Sequence, residues 1–116
     1  MAKKQKEVYY IVYNWMITKL KLKGNSLHIF ALIYSYSNSK NIKIAEAGYY
    51  GSQAFLANWF GISRDTVNSI LKDLVGKHYL IKIAVSAADL DTATRYTYKV
   101  NNSKLMSLGI SIQKIW

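Results

Sequence analysis

The sequence predicts a mainly α-helical domain with a small β-hairpin, an α+β fold, and three observations predict it. Two helix-like segments, 53–60 and 64–75, lie on either side of a short turn. Two segments of alternating apolar residues, 79–85 and 94–100, follow directly and are typical of paired strands. A segment at 26–37 is apolar nearly all round, which indicates a helix in the middle of a core.

Length and composition limit the class of protein. The 116 residues fit one domain, 1–116, and 51% of them are hydrophobic, so a core can form. The chain has no cysteine, which excludes disulfides and thiolate metal sites and agrees with a cytoplasmic protein. No stretch approaches the ~20 apolar residues of a membrane helix, so no membrane partner is expected.

The charge is strongly unbalanced. Sixteen lysines and arginines against six carboxylates give a formal net charge of +10. A basic surface attracts polyanions such as DNA, RNA or anionic lipid, although a soluble domain with a lysine-rich coat has the same composition. Charge alone therefore leaves the partner open.

The N-terminal part of the chain leads into the core helix and out of it. Residues 8–25 form an arm or a helix, and periodicity does not decide between them. Asn25 or Ser26 is expected to cap the helix 26–37. Residues 38–48 are polar and loop-like, and a short strand is expected around Tyr49 and Tyr50.

Residues 52–75 fit a helix-turn-helix. Such a motif needs a steep crossing of two helices through a turn of three or four residues. Gly61 suits the positive φ of the turn, and Ala57 lets the helices approach closely. Ser52 and Ser63 are expected to cap the first and the second helix. The apolar residues expected between the helices are Leu56, Phe60, Ile62, Val67 and Ile70.

The second helix has one dry face and one polar face. At about 100° per residue, four apolar residues share one sector: Val67, Ile70, Leu71 and Leu74. The opposite sector carries Arg64, Asp65, Asn68, Ser69 and Lys72. Arginine can recognise guanine, asparagine can recognise adenine, and lysine suits a phosphate.

The strands at 79–100 predict a wing, that is, a hairpin directly after a helix-turn-helix. Ile81, Ile83 and Val85 are expected to share a face with Tyr96, Tyr98 and Val100, while Lys82, Arg95 and Lys99 point outward. The tip carries two aspartates and no basic residue, so we expect Arg95 and Lys99, rather than the tip, to contact DNA.

The last segment, 103–116, is expected to form a closing helix. One apolar stripe runs along it, made of Leu105, Leu108, Ile112 and Ile115. The stripe completes the core or forms a homodimer interface anchored by Trp116.

Several strings resemble winged helix-turn-helix proteins of Gram-positive plasmids and phages, which include N-terminal domains of replication initiators and replisome organisers. The similar strings are Tyr13-Asn14-Trp15-Met16, Leu22-Lys23-Gly24-Asn25, Ala31-Leu32-Ile33-Tyr34-Ser35, Gly61-Ile62-Ser63-Arg64 and Leu71-Lys72-Asp73-Leu74. The resemblance implies a winged helix whose second motif helix enters the major groove of DNA. Replication control and transcriptional regulation remain open alternatives.

The expected function is therefore duplex DNA binding without a cofactor or a metal. A winged-helix module that docks on protein is the alternative, because fold does not fix function. An enzyme is not expected, since the two histidines are far apart and no phosphate-binding loop is present. The candidate DNA-binding residues are Ser52, Ser63, Arg64, Asp65, Thr66, Asn68, Ser69, Lys72, Arg95 and Lys99.

Overall fold

The structure is a computed structural model that describes residues 10–49, 53–85 and 95–112. It is mainly helical, with a small two-stranded antiparallel hairpin. In chain order the elements are α1 (Asn14–Thr18), α2 (Gly24–Ser37), α3 (Ile42–Ala47), α4 (Gln53–Phe60), α5 (Arg64–Gly76), β1 (Leu80–Val85), β2 (Arg95–Val100) and α6 (Asn102–Ser107).

Helix α2 forms the centre of the core, as its uniformly apolar sequence predicts. Phe30 and Tyr34 are completely buried, and their rings lie 6.4 Å apart between centroids. Trp15, next to the start of α1, contacts both rings edge-on. A buried aromatic side chain removes about 150–250 Å² of its surface from water. The cluster of Trp15, Phe30 and Tyr34 therefore joins α1 to α2.

The start of α2 differs from the prediction. The helix begins at Gly24, so Asn25 and Ser26 lie inside its first turn and neither side chain caps it. Leu22 is buried, and its N–H donates to the carbonyl of Met16. This contact holds the chain against the core just before Gly24, where α2 starts. In the described part of the chain before α2, from residue 10 onward, α1 is the only helix, and residues 10–13 lie outside regular structure.

The predicted loop at 38–48 is wrong in its second half, where α3 forms. The side-chain oxygen of Asn41 accepts the N–H of Lys43 at 3.0 Å, an N-capping bond. Helix α3 has only six residues, which is too short for an apolar periodicity to reveal it. The prediction extended the loop of the polar residues 38–41 across this helix.

The hairpin is confirmed, but its predicted faces are wrong. Leu80 pairs with Val100 and Lys82 pairs with Tyr98, and directly opposite residues point to the same side of a sheet. Ile81 and Ile83 are therefore on the outer face, where they are 41% and 37% exposed. Side chains alternate between the two faces of a strand. An error about which residue is buried therefore moves every side chain of that strand to the wrong face.

A third segment extends the sheet at β2. Tyr49 forms an isolated bridge with Tyr98, with N–H to carbonyl distances of 2.8 Å in both directions. The strand expected around Tyr49 and Tyr50 thus exists as one bridge at Tyr49, and Tyr50 lies outside the described residues. This bridge places the segment before α4 against the hairpin.

The closing helix predicted at 103–116 is too long. Helix α6 ends at Ser107, because Gly109 has φ +83° and two hydrogen bonds close the end. The N–H of Ile110 donates to Leu105 and that of Gly109 to Met106, the pattern of a Schellman motif. Ile110 is then buried, whereas Leu108 is 37% exposed. Ile115 and Trp116 lie outside the described residues.

Within the described residues, no helix has the length and apolar character needed to cross a membrane.

Candidate nucleic-acid interface

The turn between α4 and α5 has the geometry that its sequence predicts. Gly61 has φ +69°, and the N–H of Ile62 donates to the carbonyl of Ala57 at 2.9 Å. An ordinary residue in this left-handed conformation costs about 1–2 kcal/mol, so glycine fits the position. The turn ends at Ser63, whose Oγ accepts the N–H of Thr66 at 3.1 Å and caps α5.

The dry face of α5 packs as predicted. Val67, Leu71 and Leu74 are at most 1% exposed and belong to the central core cluster. On α4, Leu56 is fully buried and Ala57 is 8% exposed. Phe60 at the end of α4 and Ile62 in the turn pack at the edge of the core. This packing fixes the rotation of α5 about its axis and therefore decides which side chains face solvent.

The opposite face of α5 is polar and largely exposed. Arg64, Ser69 and Lys72 are exposed, and Asn68 is half-buried. Asp65 and Thr66 are also exposed in the first turn, where the hydroxyl of Thr66 lies 2.9 Å from that of Ser63. The structure thus brings six of the ten candidate residues together on one helix, with Ser63 directly before them.

A polar contact holds the side chain at the centre of this face. The amide nitrogen of Gln53 on α4 donates to the amide oxygen of Asn68 at 3.3 Å. An amide oxygen has two lone pairs, so Asn68 keeps one acceptor site and both N–H donors for another partner. Gln53 is a positioning residue that the sequence reasoning missed, since it is revealed only when α4 and α5 cross.

Tyr98 on β2 lies close to Gln53. Burial raises the pKa of Tyr98, a hydrogen bond with Gln53 lowers it in part, and Tyr96 also raises it. The Tyr98 hydroxyl therefore keeps its proton at neutral pH and can donate a hydrogen bond. Gln53 therefore lies close to both the hairpin and the polar face of α5.

A shallow groove separates the last turns of α5 from the hairpin. It has a volume of about 270 Å³ and is lined by Leu71, Lys72, Val75, Gly76, Lys82 and Tyr98. The ammonium nitrogen of Lys82 lies 4.2 Å from the centre of the Tyr96 ring. The sequence analysis assigns Lys82 to the outer face together with Arg95 and Lys99, but does not include it among the candidates.

The charges beside the groove are mainly positive. Asp73 and Lys77, one turn apart on α5, form a salt bridge of 3.1 Å and neutralise each other. Neither Lys72 nor Lys82 forms a salt bridge with a carboxylate in the described part of the chain. Two lysines from different elements therefore line the same groove without a neutralising partner there.

The remaining candidates are not on this surface. Lys99 pairs with Ile81 and lies on the face of the hairpin opposite to Lys82, with its aliphatic stem against Gly48. Ser52 lies outside the described residues, as do the side chain of Arg95 and the aspartates of the hairpin tip. The structure thus separates Lys99 from the polar face of α5.

The described residues contain no group of three or more metal-ligating side chains. Comparison with known proteins finds no matching family model, no matching curated protein and no matching solved structure. The resemblance to plasmid and phage proteins consequently stays a prediction.

Proposed function

We propose that this chain is a winged-helix protein that binds duplex DNA, with α5 as the recognition helix in the major groove. One observation carries the proposal: α5 is fixed by a buried face and a capped turn, while Arg64, Asn68 and Lys72 share its exposed face. A major groove about 12 Å wide accepts one α-helix. The net charge of +10 supplies the attraction to a polyanion.

Each side chain on this face has a defined role in the proposal. Arg64 at the start of α5 offers two parallel donors to the O6 and N7 acceptors of guanine. Asn68, oriented by Gln53, offers an N–H to N7 of adenine and its free lone pair to the N6 amino group. Lys72 contacts a phosphate, which positions the helix without reading sequence.

The proposal includes the biological role of the DNA binding. A cytoplasmic DNA-binding protein of a plasmid or phage would act in replication control or in transcriptional regulation. A recognition helix acts identically at an origin repeat and at an operator. Symmetric sites would involve a homodimer through the C-terminal segment, where Met106 is 57% exposed.

The first test is fluorescence anisotropy with a random-sequence duplex at two salt concentrations. Binding that weakens steeply with salt is expected, because each phosphate contact releases a condensed counterion. A folded protein that binds no duplex at low salt would overturn the proposal. If binding is found, selection from a random library would then provide a preferred site.

Three substitutions test the recognition helix on that site. Arg64→Ala and Asn68→Ala should each reduce the affinity for the preferred site by about 1–3 kcal/mol and relax specificity. Lys72→Ala should weaken all duplexes about equally. Lys40→Ala is the matched control, because it removes an exposed charge from the turn between α2 and α3. Equal losses in Lys40→Ala and Lys72→Ala would argue for diffuse attraction instead of a helix-centred interface.

A second candidate function, docking on another protein, is favoured by α4. Phe55 and Trp59 lie one turn apart, are 43% and 37% exposed, and contact each other at 5.1 Å between ring centroids. Aromatic side chains are enriched at the energetic centres of protein interfaces. A folded protein without DNA affinity whose partner binding is lost in Phe55→Ala would select this function.

A further inference from the structure

We propose that the groove between α5 and the hairpin holds one backbone phosphate of the bound duplex, clamped by Lys72 and Lys82. This inference rests on the proposed function and deepens it, since it assigns the docking role to the body of the hairpin. It adds Lys82 to the binding surface and leaves Lys99 on the opposite face.

The two lysines of the groove select the ligand class. Lys72 from α5 and Lys82 from β1 both line the groove, and the rest of its lining is largely apolar. Apolar walls reduce the screening of the two ammonium groups and so strengthen their attraction to an anion. A phosphate of the duplex backbone is the anion that lies beside a recognition helix.

Lys82 is held in place by its neighbour. A cation over an aromatic face gains about 0.5–1 kcal/mol at an exposed site, so Tyr96 restricts the ammonium of Lys82 before any ligand arrives. Tyr98, directly opposite Lys82 on β2, also lines the groove. The groove therefore presents a positive charge whose position is already restricted.

The length of α5 brings this groove to the edge of the major groove. From Arg64 to Gly76 the helix extends about 18 Å at 1.5 Å per residue, which exceeds the groove width of about 12 Å. When the first turn contacts base edges, the last turn reaches the sugar–phosphate backbone. The hairpin packs against this last turn, so Lys82 lies beside the backbone as well.

Gly76 lines the groove and tolerates a side chain. It is the last residue of α5, has no positive φ, and a Cβ at this position would meet no atom within 4 Å. The residue that adopts the left-handed conformation after the helix is His78, with φ +68°. Helix termination therefore does not require glycine at position 76.

Gly76 therefore offers a series of variants that changes the charge of the groove without straining the fold. Duplex affinity is measured from 50 to 200 mM salt for the full chain carrying Gly76→Glu, Gly76→Gln or Gly76→Lys. Affinity should rise from Glu through Gln to Lys at every salt concentration. Thermal unfolding of the three variants checks that each one folds.

Lys82→Gln tests the clamp directly, with Lys99→Gln as the control on the opposite face. Lys82→Gln should lower the salt slope by roughly one, so that the affinity ratio between 50 and 200 mM salt shrinks about 3.5-fold. The loss should be the same for all sequences, and Lys99→Gln should keep the parental slope.

The outcomes separate this inference from the function on which it rests. A parent protein that binds no duplex overturns both. A parent that binds duplex, while Lys82→Gln and all Gly76 variants retain its affinity and slope, overturns the phosphate site and leaves α5 as the recognition helix. Equal effects of Lys82→Gln and Lys99→Gln also overturn it, because general charge then accounts for both.

Discussion

Helices α2 and α5 have nearly the same length but different relations to the core. Eight of the 14 residues of α2 are buried, whereas only three of the 13 residues of α5 are. A helix that is apolar all round cannot present a specific surface, and a helix with one narrow dry stripe can. In this molecule α2 supplies stability, and α5 presents polar side chains from a position that the core fixes.

The two helices also differ in how they start. Helix α2 starts without a side-chain cap, since packing around Leu22 and Met16 directs the chain into it. Helix α5 follows a glycine turn and is capped by the side chain of Ser63, and both are local features. The buried helix depends on its neighbours, while the exposed helix carries its own start signal.

The largest expected effect comes from truncating the core of α2. Phe30→Ala should lower the free energy of unfolding by about 3–5 kcal/mol, because Phe30 is fully buried against three aromatic rings. Ser69→Ala on the exposed face of α5 should change it by about 0.5 kcal/mol or less. Denaturant unfolding followed by circular dichroism measures both. Similar losses in the two variants would contradict the division between the helices.

A smaller effect is expected at alkaline pH, on the side of α2. Burial raises the pKa of Tyr49 above its ordinary value of 10.0, as does the nearby Tyr36 of α2. The folded chain therefore keeps a proton that the unfolded chain loses above pH 10, so stability is full below pH 10 and falls as pH rises. By linkage the fall from this group is at most about 1.4 kcal/mol at pH 11, the limit for a tyrosine that stays fully protonated in the folded chain.

Tyr49→Phe tests this alkaline effect. Unfolding free energies at pH 8, 10 and 11 should fall less steeply in the variant than in the parent, whatever the two values are at pH 8. Parallel curves would show that Tyr49 is solvated enough to ionise in the folded state.

The smallest expected effect compares the two helix starts. Ser63→Ala should cost about 1 kcal/mol of stability, because the N–H of Thr66 loses its acceptor. Asn25→Ala in the first turn of α2 should cost nothing measurable and can stabilise the helix, since alanine is the better helix former. Thermal unfolding of both variants provides the measurement, and a larger loss in Asn25→Ala would reverse the comparison.

Much of the α4–α5 unit was predictable because its signals are local. Gly61, Ser63 and the apolar spacing from Val67 to Leu74 lie within a few turns of each other, and the structure has the turn, the cap and the dry face where they predict them. Turn, cap and spacing signals of this kind can be recognised without knowledge of the rest of the fold. The polar face of α5 follows from the same spacing.

The end of α6 was also encoded locally, although the prediction missed it. Gly109 followed by the apolar Ile110 is the pattern of a helix that stops, and the structure has the corresponding pair of hydrogen bonds. The predicted helix 103–116 includes the glycine as a weak point. The continuing apolar stripe favoured that error, because Leu108 and Ile112 kept a helical spacing beyond the true end.

The sequence by itself determined the helical nature of the core, the α4–α5 turn and the presence of a hairpin, since each depends on contacts within a short segment. Only the tertiary structure decided which face of the hairpin is buried. Leu80, Tyr98 and Val100 face the core together, and alternation then places Lys82 beside Lys72 and Lys99 on the other side. Alternation fixes the faces relative to each other, but burial against α2 and α5 selects the inner one.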